Sequence, residues 1–201
     1  VRPRYAHNDL AAKPYILVMT GGGGDGEALI VWVLRAYECD ASLEHSAILV
    51  LGPFMAAKLR RQFHRRIKKL PNVEAITFEA RIEHLIEGAV GVVAMGGYNT
   101  FCEILSFDKR AIIVPRHIPR REQLIRARQA QRLGLVRMLS AESGRDTEVM
   151  ADALRQLPTQ PKPSEVTVDG LMEGLTRIGE LVNDQLRFRG LAGRVRRMHA
   201  G

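Results

Sequence analysis

Residues 15–26 read Y-I-L-V-M-T-G-G-G-G-D-G. An uncharged apolar run of this length, rich in residues that favour extended backbone, predicts a strand covered on both faces. The glycines behind it predict a tight turn opening into a helix from about residue 26 to residue 39. The same unit recurs along the chain. Further strands are predicted over 47–52, 73–78, 91–95, 110–115 and 136–139. The helices between and after them are predicted over 54–69, 82–88, 98–107, 121–133 and 146–157. Strand and helix alternating in this way imply right-handed crossovers and a doubly wound, Rossmann-like α/β fold with a parallel sheet of about six strands. After Leu157 the run P-T-Q-P-K-P stops the last helix. Beyond it, residues 170–186 are amphipathic and the end is basic, which reads as a C-terminal helical appendage. The expected organisation is therefore 1–14 as a linker, 15–157 as the α/β domain and 158–201 as proline-rich linker, helix and basic tail.

Composition narrows the class. The chain has 201 residues, 46% hydrophobic and 26% charged, as for a globular domain with a core. No apolar run approaches the roughly 20 residues that span a bilayer. The first residues carry no signal-peptide pattern, and the first residue is Val rather than Met, which suggests a cut near the start of a longer protein. Cys39 and Cys102 make neither a disulfide framework nor a metal site, so a reducing, cytoplasmic setting follows by default. Cys102 lies in an apolar helical stretch and reads as a small buried hydrophobe. The net charge of +8 gathers in residues 58–69 (K-L-R-R-Q-F-H-R-R-I-K-K) and 187–199. The first cluster reads as a solvated helix face. The second, near the chain end, suits a partner or lipid headgroups at the inner face of a membrane.

Three turns at predicted strand ends carry the chemistry, because ligands of open parallel sheets bind beyond the carboxyl ends of the strands. The first is residues 21–26. Gly22, Gly23 and Gly24 let an anion approach the main chain, and the following helix N-terminus offers free N–H groups. A simpler alternative is a turn with Asp25 as N-cap. The spacing of Gly21, Gly23 and Gly26 also fits G-x-G-x-x-G, but a dinucleotide cofactor needs an acid after the second strand to hold its ribose. That strand ends in Leu51-Gly52-Pro53, so a nicotinamide enzyme is disfavoured. The absence of G-K-[ST] excludes a P-loop.

The second turn is Gly96-Gly97-Tyr98-Asn99-Thr100, with Glu103 behind it. Asn99, Thr100 and Glu103 share one helix face near its start. A carboxylate there can accept from both hydroxyls of a ribose while turn N–H groups meet phosphate. The same spacing also makes a capping box, with Thr100 as N-cap and Glu103 at the third helical position. The third turn, residues 116–123, places Arg116, Arg120 and Arg121 for a diphosphate. Gln123 stands where an amide can meet sugar hydroxyls, and His117 reads as a loop histidine.

Together the three turns resemble the C-terminal domain of the GT-B glycosyltransferases. Within them, the nearest branch is glycosyltransferase family 28, which contains the peptidoglycan enzyme that adds N-acetylglucosamine to lipid I. The likeness runs over residues 15–157. It rests on G-G-G-G-D-G at 21–26, M-G-G-Y-N-T-F-C-E at 95–103 and V-P-R-H-I-P-R-R-E-Q-L-I-R-A at 114–127. The resemblance implies a UDP-hexose or UDP-N-acetylhexosamine bound as donor substrate, with no cofactor. Glu103 would hold the ribose, and Gly22–Gly24 would face the diphosphate or the interdomain cleft. Gln123, with Glu122 beside it, would contact the sugar, and residues 78–82 would line the base. Gly96 or Gly97 stands where the family often carries serine.

The resemblance also implies an N-terminal domain, or a separate acceptor subunit, that holds the acceptor and supplies the catalytic base. No catalytic residue is therefore named here, and the chain alone is expected to bind nucleotide weakly and to transfer little. Residues 171–186 resemble the terminal helix that packs back across such a domain. With no Asp-x-Asp motif, no essential metal is expected. Two other readings remain. A non-hydrolysing nucleotide-sugar epimerase shares the architecture but needs an acid–base pair that is not evident. A non-catalytic basic module would bind nucleic acid or an acidic partner, but aromatics at 5% are few for base stacking, and no nucleic-acid partner is expected.

Overall fold

The structure, a computed structural model, describes residues 13–22, 24–116, 121–140 and 144–166. Six parallel strands form one sheet of order β3-β2-β1-β4-β5-β6. They are β1 (Tyr15–Met19), β2 (Ser46–Val50), β3 (Val73–Ile76), β4 (Ala89–Ala94), β5 (Ala111–Ile113) and β6 (Arg137–Met138). The helices are α1 (Glu27–Cys39), α2 (Ala57–Ile67), α3 (Ile82–Gly88), α4 (Tyr98–Ser106), α5 (Glu122–Arg132) and α6 (Thr147–Gln156). Each element expected between residues 15 and 157 is present, with ends within three residues of the positions read from the sequence. The fourth strand starts two residues early, at Ala89, because Tyr15 already pairs with Ala89 across a register shift before Ile16 meets Gly91.

Every residue of β1, β2 and β5 is buried. This is why those strands read as unbroken apolar runs: helices cover both faces, so no residue of the period-two alternation is left for water. α1 packs on α2 and, more extensively, on α6, while α3 packs on α4. The core is centred on Trp32, Leu34, Leu49, Ile112 and Leu154. Trp32 also ties α1 to the start of α6, since its indole Nε1–H donates to the Asp146 carbonyl at 2.6 Å. Trp32→Phe removes this donor and leaves a void, and is expected to cost about 2 kcal/mol. A urea midpoint that falls with an unchanged m-value would report it.

The chain past Leu157 stays on the domain. Leu157 packs against Gly91, where a Cβ would sit 2.6 Å from its Cγ. The Ser164 hydroxyl and backbone N–H both bond the Asp108 carboxylate, at 2.7 and 2.8 Å. Pro163 is buried. These contacts hold the segment to Val166, where the first unit of the chain ends. The amphipathic stretch 170–186 and the basic tail 187–199 lie outside the described residues, as do residues 1–12. In α2 only Phe63 and Ile67 are buried, so its lysines and arginines lie on the side away from the core. Arg66 among them pairs with Glu38 at 2.7 Å.

Candidate functional site

The strand order reverses between β1 and β4. The chain winds outward through β2 and β3, crosses back, then continues from β4 to β6. At such a switch point the loops leaving two adjacent strands diverge, and open parallel sheets bind their ligands in the crevice beyond the carboxyl ends. The two loops are the two glycine turns. Met19 and Ala94, the last residues of β1 and β4, are direct partners in the ladder. The two glycine turns therefore leave neighbouring strands on either side of the switch point.

The glycines divide by role. Gly26 and Gly96 are demanded by packing: a Cβ on Gly26 would run into the Thr20 side chain, and one on Gly96 would lie 2.7 Å from Ile113. Gly96 and Gly21 also have positive φ, at 77° and 65°, which favours glycine without any ligand. Gly24 and Gly97 have negative φ or open surroundings and meet nothing within 4 Å of a Cβ. Gly22 lies under the ring of Phe54, 3.2 Å from a Cβ position, and its carbonyl accepts from the Phe54 N–H at 3.0 Å. Gly24 and Gly97 therefore leave space that packing does not require. Gly23 lies outside the described residues.

Both helices behind these turns begin without a side-chain cap. α1 has Gly26 as N-cap, and α4 has Gly97. The two capping alternatives raised by the sequence are thus not realised. Asp25 bonds Arg116 instead of a helix N–H. Thr100 is the third residue of α4 rather than its cap, because Gly97, with φ −55° and ψ 154°, takes the N-cap position and the helix starts at Tyr98. The first N–H groups of α1 and α4 are left for water or an anion, at the positive ends of two helix dipoles.

Glu103 lies half-buried on α4, one position before the fully buried Ile104, and shares its face with Asn99 and Thr100. Its carboxylate has no hydrogen-bond or ion-pair partner among the described residues. Burial raises its pKa above the ordinary 4.5, and the nearby Glu83 carboxylate raises it further. A partly buried acid near the start of α4, with no structural partner among the described residues, is a candidate ligand-binding group.

The third loop joins the other two. Arg116 follows β5, and its Nη1 meets Asp25 Oδ2 at 2.5 Å. Its backbone N–H donates to Gln123 Oε1 at 3.3 Å. Gln123 is 9% exposed, so its carbonyl oxygen serves to hold the loop, and its NH2 group is the half left to meet a ligand. Glu122, at the start of α5, is exposed. His117 and Arg120 lie outside the described residues. Arg126 was not singled out by the sequence reading. Its Nη1 donates to the Gly96 carbonyl at 2.8 Å, and its guanidinium stacks 5.5 Å from the Tyr98 ring and 5.9 Å from Phe101. The only sequence signal was its i+4 spacing from Glu122. Phe54, Phe78 and Tyr98 are exposed at the ends of β2, β3 and β4, an aromatic rim along the carboxyl edge. Cys102 is only half-buried and Cys39 exposed, so Cys102 is less enclosed than its apolar neighbours suggested.

The profile of the glycosyltransferase family 28 C-terminal domain matches residues 16–167. The chain belongs to this family. The fold recurs in solved glycosyltransferases. MurG of Acinetobacter baumannii aligns with a TM-score of 0.59 at 15% identity, over 78% of this chain and 49% of that one. VinC, solved in complex with dTDP, aligns with a TM-score of 0.55 at 16% identity, over 74% and 34%. UGT2 of Phytolacca americana, solved with UDP-2-fluoro-glucose and pterostilbene, aligns with a TM-score of 0.54 at 16% identity, over 77% and 35%. At these identities the likeness establishes the fold alone. The chain spans between about a third and a half of the length of these proteins. No curated protein sequence matches it significantly. Among the described residues no helix is long and apolar enough to cross a membrane, and no cluster of three or more metal-binding side chains occurs.

Proposed function

We propose that this family 28 domain binds a nucleoside diphosphate sugar in the β1/β4 crevice and presents it to an acceptor held by an N-terminal domain or a partner subunit. The diphosphate lies against Gly22, Gly24 and Gly97, at the uncapped starts of α1 and α4. Glu103 accepts hydrogen bonds from the ribose hydroxyls, with Asn99 and Thr100 beside it. The segment 78–82 borders the base, and Glu122 with Gln123 meets the sugar. As the glycosidic bond to the diphosphate breaks, negative charge grows on the leaving phosphate. Preorganised N–H groups and Arg116 face that charge and lower the barrier. The acceptor-activating base is assigned to the acceptor domain or subunit. UDP is the favoured nucleotide through the family resemblance. That VinC was solved with dTDP and UGT2 with a UDP-sugar analogue is consistent with a nucleoside diphosphate in this fold.

One observation carries the reading. Two glycine turns with room for a ligand, two uncapped helix starts and an unpartnered, partly desolvated carboxylate converge at a single topological switch point. Calorimetric titration of the 201-residue chain with UDP, UDP-sugars, uridine, ADP and a short RNA tests it. UDP and a UDP-sugar are expected to bind with dissociation constants in the high micromolar range, about 10⁻⁴ M, and uridine more weakly. Tight RNA binding without any response to UDP would remove the reading.

A further inference from the structure

The ion pair between Asp25 and Arg116 flanks the proposed site, yet the donor-binding reading gives a role to Arg116 alone and none to Asp25. β1 and β5 lie on either side of β4. A bond from the turn after β1 to the loop after β5 therefore crosses two strand spacings, about 10 Å, above the carboxyl end of β4. That is where the Gly96–Gly97 turn begins. The pair is a bar across the crevice mouth.

Its chemistry is lopsided. Asp25 takes one guanidinium nitrogen, Nη1, whereas the Nε of Arg116 is buried and without a partner among the described residues. The main chain of Arg116 is held separately, through the Gln123 amide. One hydrogen-bonding edge of the Arg116 guanidinium is thus incompletely used, and once Asp25 lets go and the side chain turns, that edge suits an oxyanion with two acceptors. Asp25 sits between Gly24 and Gly26, in the turn that offers its N–H groups to phosphate. An incoming diphosphate meets a like charge in the turn and, opposite it, the guanidinium that the like charge occupies. Gly24 and Gly97, one in each glycine turn, have nothing within 4 Å of a Cβ.

We propose that Asp25 is a built-in counter-ion, which occupies Arg116 in the empty site and is displaced by the diphosphate of the nucleotide. This deepens the donor-site reading and rests on it. Asp25 is a positioning residue: it holds the guanidinium over the crevice and returns to it when the nucleoside diphosphate leaves. The exchange sets selectivity by charge. A ligand with two phosphates replaces the carboxylate and engages both guanidinium edges, a monophosphate does so less well, and an uncharged nucleoside leaves the pair closed. Competition from Asp25 also keeps the diphosphate product from binding too tightly.

The test is calorimetry on the full chain and on Asp25→Asn, Arg116→Gln and the double variant, with UDP, UMP, uridine and inorganic pyrophosphate as probes. An exposed ion pair contributes little to stability, so the variants should fold, and thermal melting checks this. Asp25→Asn is expected to tighten UDP and pyrophosphate binding about three- to tenfold, UMP less and uridine not at all. The gain should shrink in high salt and largely vanish in the Arg116→Gln background. Glu27→Gln removes an acid from the same helix start without freeing a guanidinium, and should give a smaller gain. Weaker UDP binding by Asp25→Asn overturns the proposal, as does an equal gain for uridine or a full gain without Arg116. Pyrophosphate separates the two readings. If UDP fails to bind at all but Asp25→Asn still strengthens pyrophosphate, the exchange stands and the nucleotide site falls. If pyrophosphate is also indifferent, the exchange falls.

Discussion

Glu103→Ala is expected to weaken UDP binding about 30- to 150-fold, equivalent to roughly 2–3 kcal/mol, and to leave the domain at least as stable at neutral pH. The affinity loss follows from two charge-assisted hydrogen bonds to vicinal ribose hydroxyls, which an alanine cannot replace. The stability statement follows from the free site. Burial and the neighbouring Glu83 raise the Glu103 pKa above 4.5, so between 4.5 and the raised value the folded state binds more proton than the unfolded state. Stability therefore falls as pH rises through that window. The cost is absent below pH 4.5 and fully present at neutral pH. Glu103→Gln, which keeps the shape and removes the charge, should raise the thermal midpoint slightly at pH 7, and the gain should disappear at pH 4. UDP titration of both variants and melting curves at the two pH values give the measurement. An affinity unchanged within threefold would remove Glu103 from the site. A Glu103→Gln protein less stable than wild type at pH 7 would give it a structural role instead.

How far the sequence carried depends on the range over which each feature is encoded. The strand at 15–19 was legible because burial on both faces forbids polar residues there, and that constraint is written into consecutive positions. The same local encoding placed Gly96, Gly97 and Glu103 on one turn-and-helix unit. What spans the sheet was not legible. The bond from Arg116 to Asp25 joins residues 91 positions apart, and only the order β3-β2-β1-β4-β5-β6 puts their loops on either side of one strand. Arg126 was missed for the same reason, since nothing near it in sequence points to the Gly96 carbonyl. Helix starts were ambiguous because several residues in each turn can cap. Asp25 and Thr100 have the right chemistry, but Gly26 and Gly97 stand one residue before the helices and take the cap positions through backbone geometry. Past Leu157 the prolines suggested a connector, whereas residues 157–166 are held by specific contacts to Gly91 and Asp108. The expectations for Gly23, His117, Arg120 and the basic tail lie outside the described residues.

Two glycines one residue from a helix start should respond oppositely to a side chain, and the contrast separates fold from function. Gly26→Ala places a methyl group 2.5 Å from Thr20 Cγ2 and closer still to Cβ. Thr20 has no freedom to retreat: it is buried, and its hydroxyl lies 3.1 and 2.9 Å from the carbonyl oxygens of Val50 and Leu51. The helix start must therefore shift away from β1, and the expected loss is about 3 kcal/mol, at the upper end for overpacking. Thr20→Ala should not rescue it, because the Cβ met first remains. Gly97→Val adds three carbons at a φ of −55° that any L-residue adopts, and the first of them, Cβ, meets nothing within 4 Å. Its structural cost is limited to a poorer N-cap, about 1 kcal/mol or less. The added side chain occupies the volume assigned to the diphosphate and removes the close approach to the first N–H groups of α4. UDP binding should fall at least tenfold, about 1.4 kcal/mol or more, with uridine affected far less. Urea denaturation and paired titrations measure both effects. Unchanged UDP affinity in Gly97→Val would move the diphosphate away from α4, while a stability loss there as large as that of Gly26→Ala would mean that packing, not ligand access, explains the second glycine.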